Sequence, residues 1–191
     1  MENPYWHEFY KPHVVDFHEV RELCFRAFAI AAASRSMMGV PGEEIGGTLH
    51  DAFFRMAEAR LSDALLNLAV KIRTFEDIIA DSEAADEYAA LLKKIFEPEQ
   101  LGSIGNEGSD GRRDISLRVA CNKIIHAEDL RPVYEHGSNP REEDFAWGMT
   151  GTIELTGKLR GKQWDVWLEH LRRTQSRFWD SRGKFRLIHC S

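Results

Sequence analysis

The apolar residues between Thr48 and about Arg73 recur at intervals of three and four residues, and no other pattern in the chain constrains the fold as strongly. This spacing puts the apolar side chains on one stripe of an α-helix, with polar residues on the opposite face. A stripe of this width must be buried against other elements. The sequence therefore predicts a long core helix with the following stripe: Phe53, Met56, Ala57, Leu61, Ala64, Leu65, Leu68 and Ile72.

Three further helices are predicted around this one. Asp16 and Glu19 have the spacing of a capping box, so one helix should begin at Asp16 and end before the glycine-rich segment 39–47. A second should cover about 84–96, and a third about 114–127. The glycine-rich segment 102–111 between them matches no phosphate-binding motif, and we expect it to be a loop.

The apolar period changes from 3.6 to 2 towards the carboxyl terminus. Ile153 and Leu155 alternate with polar residues, as do Trp164, Val166 and Leu168 after the turn residues 157–162. The residues before them, 128–147, read as a polar connector. We therefore predict a mainly α fold in one domain, residues 1–191: a helical bundle over about 16–127, then a C-terminal β-hairpin and short final helix over about 149–181.

The charge distribution is uneven. The net charge is −6, but residues 151–191 carry +5 and residues 1–150 carry −11. This basic carboxyl-terminal part could face an anionic partner or pair with the acidic helices. No apolar stretch is long enough to span a membrane, no secretory leader is visible, and the cysteines (Cys24, Cys121 and Cys190) are too far apart in sequence for a metal knuckle. We expect a cytoplasmic protein with reduced thiols, without a membrane partner and without a cofactor.

The helix predicted at about 114–127 carries the residues best suited to catalysis. Arg118, Asn122 and His126 follow one another at intervals of four, so they share one helix face beside an apolar one. Histidine can transfer a proton near neutral pH, arginine can stabilise negative charge on phosphorus, and asparagine can orient either group. These functions suit metal-independent cleavage of a phosphodiester. The alternative is that all three residues have packing roles only.

The segment Asn-Lys-Ile-Ile-His-Ala at 122–127 resembles the signature of the HEPN superfamily, and the helix around 59–69 resembles an earlier helix of such proteins. The resemblance implies a helical bundle, commonly a homodimer, and metal-independent RNase activity in toxin–antitoxin or phage-defence systems. Other members of the superfamily bind nucleotides or lack activity. Here the motif is degenerate, because Cys121 occupies the position of the motif arginine and Arg118 lies one turn earlier.

The resulting hypotheses differ in whether the chain is an enzyme. The first is a HEPN-like endoribonuclease with His126 as general acid or base and RNA bound by Arg113, Lys123, Arg160 and Lys162. The second is a non-catalytic HEPN-like interaction or regulatory module of antitoxin type, with a cognate protein partner. A small-ligand sensor is a third class. A metal site at His13, Asp16, His18 and Glu19 is a weaker alternative, because two histidines five residues apart diverge on a helix, and our prediction includes no metal ligand.

Overall fold

The structure is a computed structural model that describes residues 15–36, 48–95, 101–106, 111–136 and 147–169. Four helices and five strands lie within these ranges. None of these helices is long and apolar enough to cross a membrane. In chain order the elements are α1 (Phe17–Ser36), α2 (Thr48–Ala80), α3 (Ala85–Ile95), β1 (Gly102–Asn106), β2 (Arg113–Asp114), α4 (Leu117–Ile125), β3 (Asp129–His136), β4 (Trp147–Leu159) and β5 (Lys162–Leu168).

The strands form one antiparallel sheet in the order β2-β1-β5-β4-β3. Ile104 of β1 and Leu155 of β4 both pair with Val166 of β5, so the three side chains point to the same face. That face joins one hydrophobic core with Leu61 of α2 and Leu23 of α1. The helices therefore cover one face of the sheet, with α1 packed on α2 and β4, and α4 packed on α2.

The prediction of a mainly α helical bundle with a single β-hairpin is wrong. The described residues form an α+β fold, in which helices lie against a five-stranded antiparallel sheet. The predicted hairpin is present as β4 and β5, joined at Arg160 and Gly161, which both have positive φ. It is the centre of the sheet rather than an addition to a bundle. The predicted final helix lies outside the described residues.

Three strands were missed, and one of them, β1, has a sequence rich in glycine. The segment 102–111 was predicted to be a loop, yet it contains β1, which pairs along its whole length with β5. Gly102 has φ +136°, and a Cβ there would collide with the backbone carbonyl of Trp167. A glycine at this position lets the two strands approach each other, so a residue type that is common in loops is required here by the sheet.

A second missed strand, β3, contains a proline. The segment 128–147 was predicted to be a polar connector, but β3 occupies its first part and pairs with β4. Pro132 has no N–H to donate, and it is tolerated because β3 is the outermost strand. The register shifts between Pro132 and Tyr134, and the Thr150 hydroxyl donates a hydrogen bond to the carbonyl of Val133 at 3.1 Å. The backbone carbonyl of Val133 at the bulge therefore keeps a hydrogen-bond donor.

The helix boundaries follow local capping chemistry. The Asp16 carboxylate accepts the N–H of His18 at 2.8 Å, and α1 begins at the next residue after Asp16. The helix α2 ends at Ala80 rather than near Arg73. The predicted start of α4 at about 114 is too early, because Ser116 is the N-cap and accepts the N–H of Val119. Residues 113–114 belong to β2 instead.

Candidate functional site

The predicted triad lies on α4 but is spread along the whole helix. Arg118 is in the first turn, and His126 is the C-cap residue. The two residues are eight positions apart, which corresponds to about 12 Å along the helix axis. The backbone N–H of His126 donates to the carbonyl of Asn122 at 3.1 Å, but no hydrogen bond joins the two side chains. His126 is exposed to solvent. The three side chains therefore do not converge on one point.

Arg118 is engaged in an ion-pair cluster with α2. Its guanidinium donates to Asp77 at 2.9 Å and to Glu76 at 3.4 Å. Arg73 contacts the same two carboxylates at 3.3 Å. The hydrogen bond from Arg118 is the largest of the effects that hold the pKa of Asp77 below its ordinary value. This cluster (Arg73, Glu76, Asp77 and Arg118) fastens the start of α4 to the end of α2.

Cys121, at the position of the motif arginine, points into the protein interior. Its side chain is buried, and burial together with the negative charge of Glu76 raises the pKa of the thiol to about 12. The sulfur is therefore a protonated, weakly reactive packing group near neutral pH. An arginine at this position would be directed into the core. The departure from the HEPN pattern thus lies on a face of α4 that solvent does not reach.

The second half of α4 is held against the sheet by a stack of three residues. The ammonium nitrogen of Lys123 lies 3.8 Å from the ring centroid of Trp164, within cation–π distance. Burial lowers the pKa of Lys123. On the same sheet face, Trp164 pairs with Gly157 of β4, where a Cβ would overlap the indole ring. Trp164 is only 4% exposed, so it is a packing residue, as the alternating pattern predicted.

Three more cations lie beyond this stack, at the end of the β4–β5 hairpin. Lys162 is two residues from Trp164, which corresponds to about 7 Å along the strand. Arg160 lies in the turn, and Lys158 pairs with Gln163 on the opposite face of the hairpin from Lys162. All three side chains are exposed and surround the end of the hairpin. None of the three forms an ion pair with another described residue. We call Lys123, Lys158, Arg160 and Lys162 the basic end of the molecule.

The acidic residues at the basic end are few. Glu128 and Asp165 line a surface hollow of about 400 Å³ together with Lys158, Gln163 and Trp164. Asp165 is already paired with Arg112, which also donates to the side chain and backbone of Ser103. Of the acidic residues that line this hollow, only Glu128 then opposes the four cations. Of the predicted nucleic-acid-binding residues, the structure brings Lys123, Arg160 and Lys162 together at this end.

Arg113, the fourth predicted RNA-binding residue, is elsewhere. It lies on β2, the edge strand, opposite Ile104 and two strands away from β5. Trp167 lies on the far face of the sheet from Lys162, and Arg112 is 5.1 Å from its ring. Sequence reasoning missed Arg112 and Lys158. The position of Lys158 in the predicted turn was a usable signal, whereas nothing local marked Arg112.

Comparison of the chain with protein-family models, with curated proteins and with solved structures found no match. The resemblance to the HEPN superfamily, the homodimer and the cognate protein partner therefore stay predictions. The helical bundle that this resemblance implies is not the observed fold. Of the weaker metal-site residues, His13 lies outside the described residues, Asp16 caps α1, and Glu19 pairs with Lys71. Among the described residues no group of three or more His, Cys, Asp or Glu side chains could hold a metal ion.

Proposed function

We propose that this protein is a non-catalytic RNA-binding module whose basic end contacts the phosphates of a single RNA strand. The observation that carries the proposal is the position of Lys123, Lys158, Arg160 and Lys162 around one end of the molecule, where two elements distant in sequence contribute them. Lysine and arginine side chains of this kind supply most of the sequence-independent affinity for nucleic acids. The net charge of the whole chain is −6, so the residues outside this group of four cations carry −10, which disfavours phosphate binding elsewhere.

The size of the basic end favours a short single-stranded segment. Its width is that of one hairpin and one helix terminus, so about four phosphates can be contacted at once. For a single strand, each neutralised phosphate contributes about −0.7 to the slope of log affinity against log salt concentration. Four contacts predict a slope of about −3. His126 lies one turn from Lys123 and is exposed, within reach of a ribose hydroxyl of the bound strand.

The same geometry argues against cleavage. A metal-independent RNase needs its imidazole and its guanidinium at one scissile phosphate. Here Arg118 is bound to Asp77 and Glu76 at the opposite end of α4 from His126. Among the described residues, no arginine stands with His126 and Asn122 in the arrangement that the degenerate motif requires. Binding without turnover is the function that this arrangement supports best.

The test is fluorescence anisotropy with a labelled, mixed-sequence single-stranded RNA and the purified full-length chain. The triple variant Lys158→Ala/Arg160→Ala/Lys162→Ala removes three phosphate contacts. It should reduce affinity on the order of 100-fold at 0.1 M monovalent salt and make the salt slope shallower by about 2.

The matched control removes three exposed basic residues from the helices: Arg21→Ala/Arg60→Ala/Lys94→Ala. It changes the net charge by the same amount and should leave affinity within about twofold, because long-range effects are screened beyond a Debye length. Equal losses in the two triple variants would mean that only net charge matters, and the proposed site would then be abandoned.

The same RNA incubated with the protein in EDTA provides the test against an enzyme. We expect intact RNA on a denaturing gel. Cleavage that persists in EDTA and disappears in His126→Ala would replace the present proposal with a HEPN-like endoribonuclease.

A further inference from the structure

A cleft of about 580 Å³ separates α3 from the end of α2 and the start of α4. Residues of α3 form one side of this cleft, and residues 114–118, at the start of α4, form the opposite side. An apolar-walled cleft of this size is the usual form of a small-molecule site. The principal apolar lining residues are Ile79, Tyr88, Ala89, Leu92, Ile115 and Leu117.

One wall of the cleft carries a buried carboxylate that is only half satisfied. Glu76 is 6% exposed, and its Oε2 accepts from Arg73 and Arg118. Its Oε1 accepts no hydrogen bond from any residue that the structure describes. Burying an acceptor without a donor is unfavourable. The geometry therefore calls for a donor from within the cleft.

A second polar group faces the same space. The ring of Tyr88 is held edge-on against Phe75, with centroids 5.3 Å apart. Tyr88 lines the cleft, and its hydroxyl has no hydrogen-bond partner among the described residues. It is not hydrogen-bonded to Glu76. Two polar groups on the wall thus stand ready for one bound molecule, as in sites where a few polar groups orient an apolar ligand.

The charges around the cleft balance. Lys93 and Arg118 are opposed by Glu76 and Asp114. A ligand with a full charge of either sign would gain no net attraction here and would lose its hydration. The cleft therefore favours a neutral molecule.

We propose that this cleft binds a neutral small molecule with a flat apolar body and one N–H or O–H donor directed at Glu76 Oε1. The apolar body packs between Leu92 of α3 and Leu117 of α4. The Tyr88 hydroxyl supplies a second polar contact. This site is independent of the RNA-binding proposal, because it lies at the opposite end of α4 from Lys123 and His126.

Indole and benzofuran are a matched pair of probes, since they have the same shape and only indole carries an N–H donor. Saturation-transfer difference NMR and competition titrations with the full-length chain should give indole a Kd on the order of 1 mM, as expected for a fragment of this size. Benzofuran should bind about tenfold more weakly, because it cannot satisfy Glu76. The absence of indole binding up to about 10 mM, a weak limit for such fragments, would overturn the proposal. Equal affinities for the two probes would overturn the assignment of a donor.

Variants on α3 locate the binding. Ala89→Phe fills the cleft and should reduce indole affinity at least tenfold. Ala90→Phe is the matched control, because Ala90 is exposed, adjoins Ala89 and does not line the cleft. Unchanged indole binding in Ala89→Phe, with circular dichroism showing a folded chain, would place the probe elsewhere and refute the site. If Ala89→Phe does not fold, Leu92→Ala decides: it removes part of the apolar wall, so the affinities for indole and benzofuran should both fall about threefold, and no change in either would count against the site.

Discussion

Replacing Arg118 with methionine removes the guanidinium that ties α4 to α2 and retains a long side chain. The variant separates a structural role from a role in RNA contact, because the two roles predict opposite results. Arg118 donates to Glu76 at 3.4 Å and to Asp77 at 2.9 Å, and Arg73 shares both carboxylates. We expect the variant to fold, to be less stable, and to bind RNA as the wild type does.

The magnitude follows from the Glu76 contact. A hydrogen bond between charged groups is worth about 1.5–3 kcal/mol when it is well formed and shielded from solvent. Here the bond is long, Arg118 is 49% exposed, and Arg73 still satisfies the same oxygen in the variant. Screening by solvent therefore reduces the expected loss of unfolding free energy to about 1 kcal/mol. With a urea m-value of about 2 kcal/mol/M, the midpoint should fall by about 0.5 M.

Urea unfolding followed by tryptophan fluorescence measures this loss. Arg113→Met is the control, because Arg113 is exposed and has no ion pair with another described residue. It should change the unfolding free energy by no more than about 0.5 kcal/mol. An Arg118→Met protein of unchanged stability that binds RNA more than tenfold more weakly would refute the structural assignment of Arg118.

The difference between wild type and Arg118→Met should depend on pH in a defined direction. The pKa of Asp77 is lowered in the folded protein, chiefly by its hydrogen bond from Arg118. A carboxylate with a lowered pKa stabilises the fold above its unfolded pKa of 3.8, and this contribution is lost as the pH falls through the folded value. The two proteins should therefore differ by a constant amount near neutral pH and converge below about pH 4.

Two further predictions concern the interior beside α4. Gly157→Ala puts a methyl group against the Trp164 ring and should lower the free energy of unfolding, measured in urea, by about 1–3 kcal/mol. Gly161→Ala is the control: the space there is open and only the positive φ is unfavourable, so the loss should be about 1 kcal/mol. Equal losses in the two variants would show that Trp164 moves aside. Since its pKa is about 12, Cys121 should react with iodoacetamide at pH 8 on the order of a thousandfold more slowly than in the unfolded chain, as followed by peptide mass spectrometry; a rapid native reaction would contradict its burial.

The amino-acid sequence determined those features that depend on neighbouring residues. The apolar period of α2 and the capping Asp16 define helices through contacts within a few residues, so their positions were predictable. The alternation around Trp164 and Val166 likewise identified one strand and its buried face. The sequence also grouped Lys123, Arg160 and Lys162 as nucleic-acid-binding residues; the hairpin places them at one end of the molecule, and their binding role stays a prediction.

Tertiary structure alone decided the sheet and the role of Arg118. Gly102 and Pro132 disfavour strands locally, and they lie in strands because β5 and β4, distant along the chain, provide their partners. Arg118 appeared in sequence to face His126, but its carboxylate partners lie on α2, more than 40 residues earlier. Helical periodicity specifies a direction around one axis and carries no information about which charged side chain of another element lies there. For that reason the sequence identified the α4 helix. Only the fold showed that its first turn belongs to an ion-pair cluster and that its last turn belongs to a basic surface.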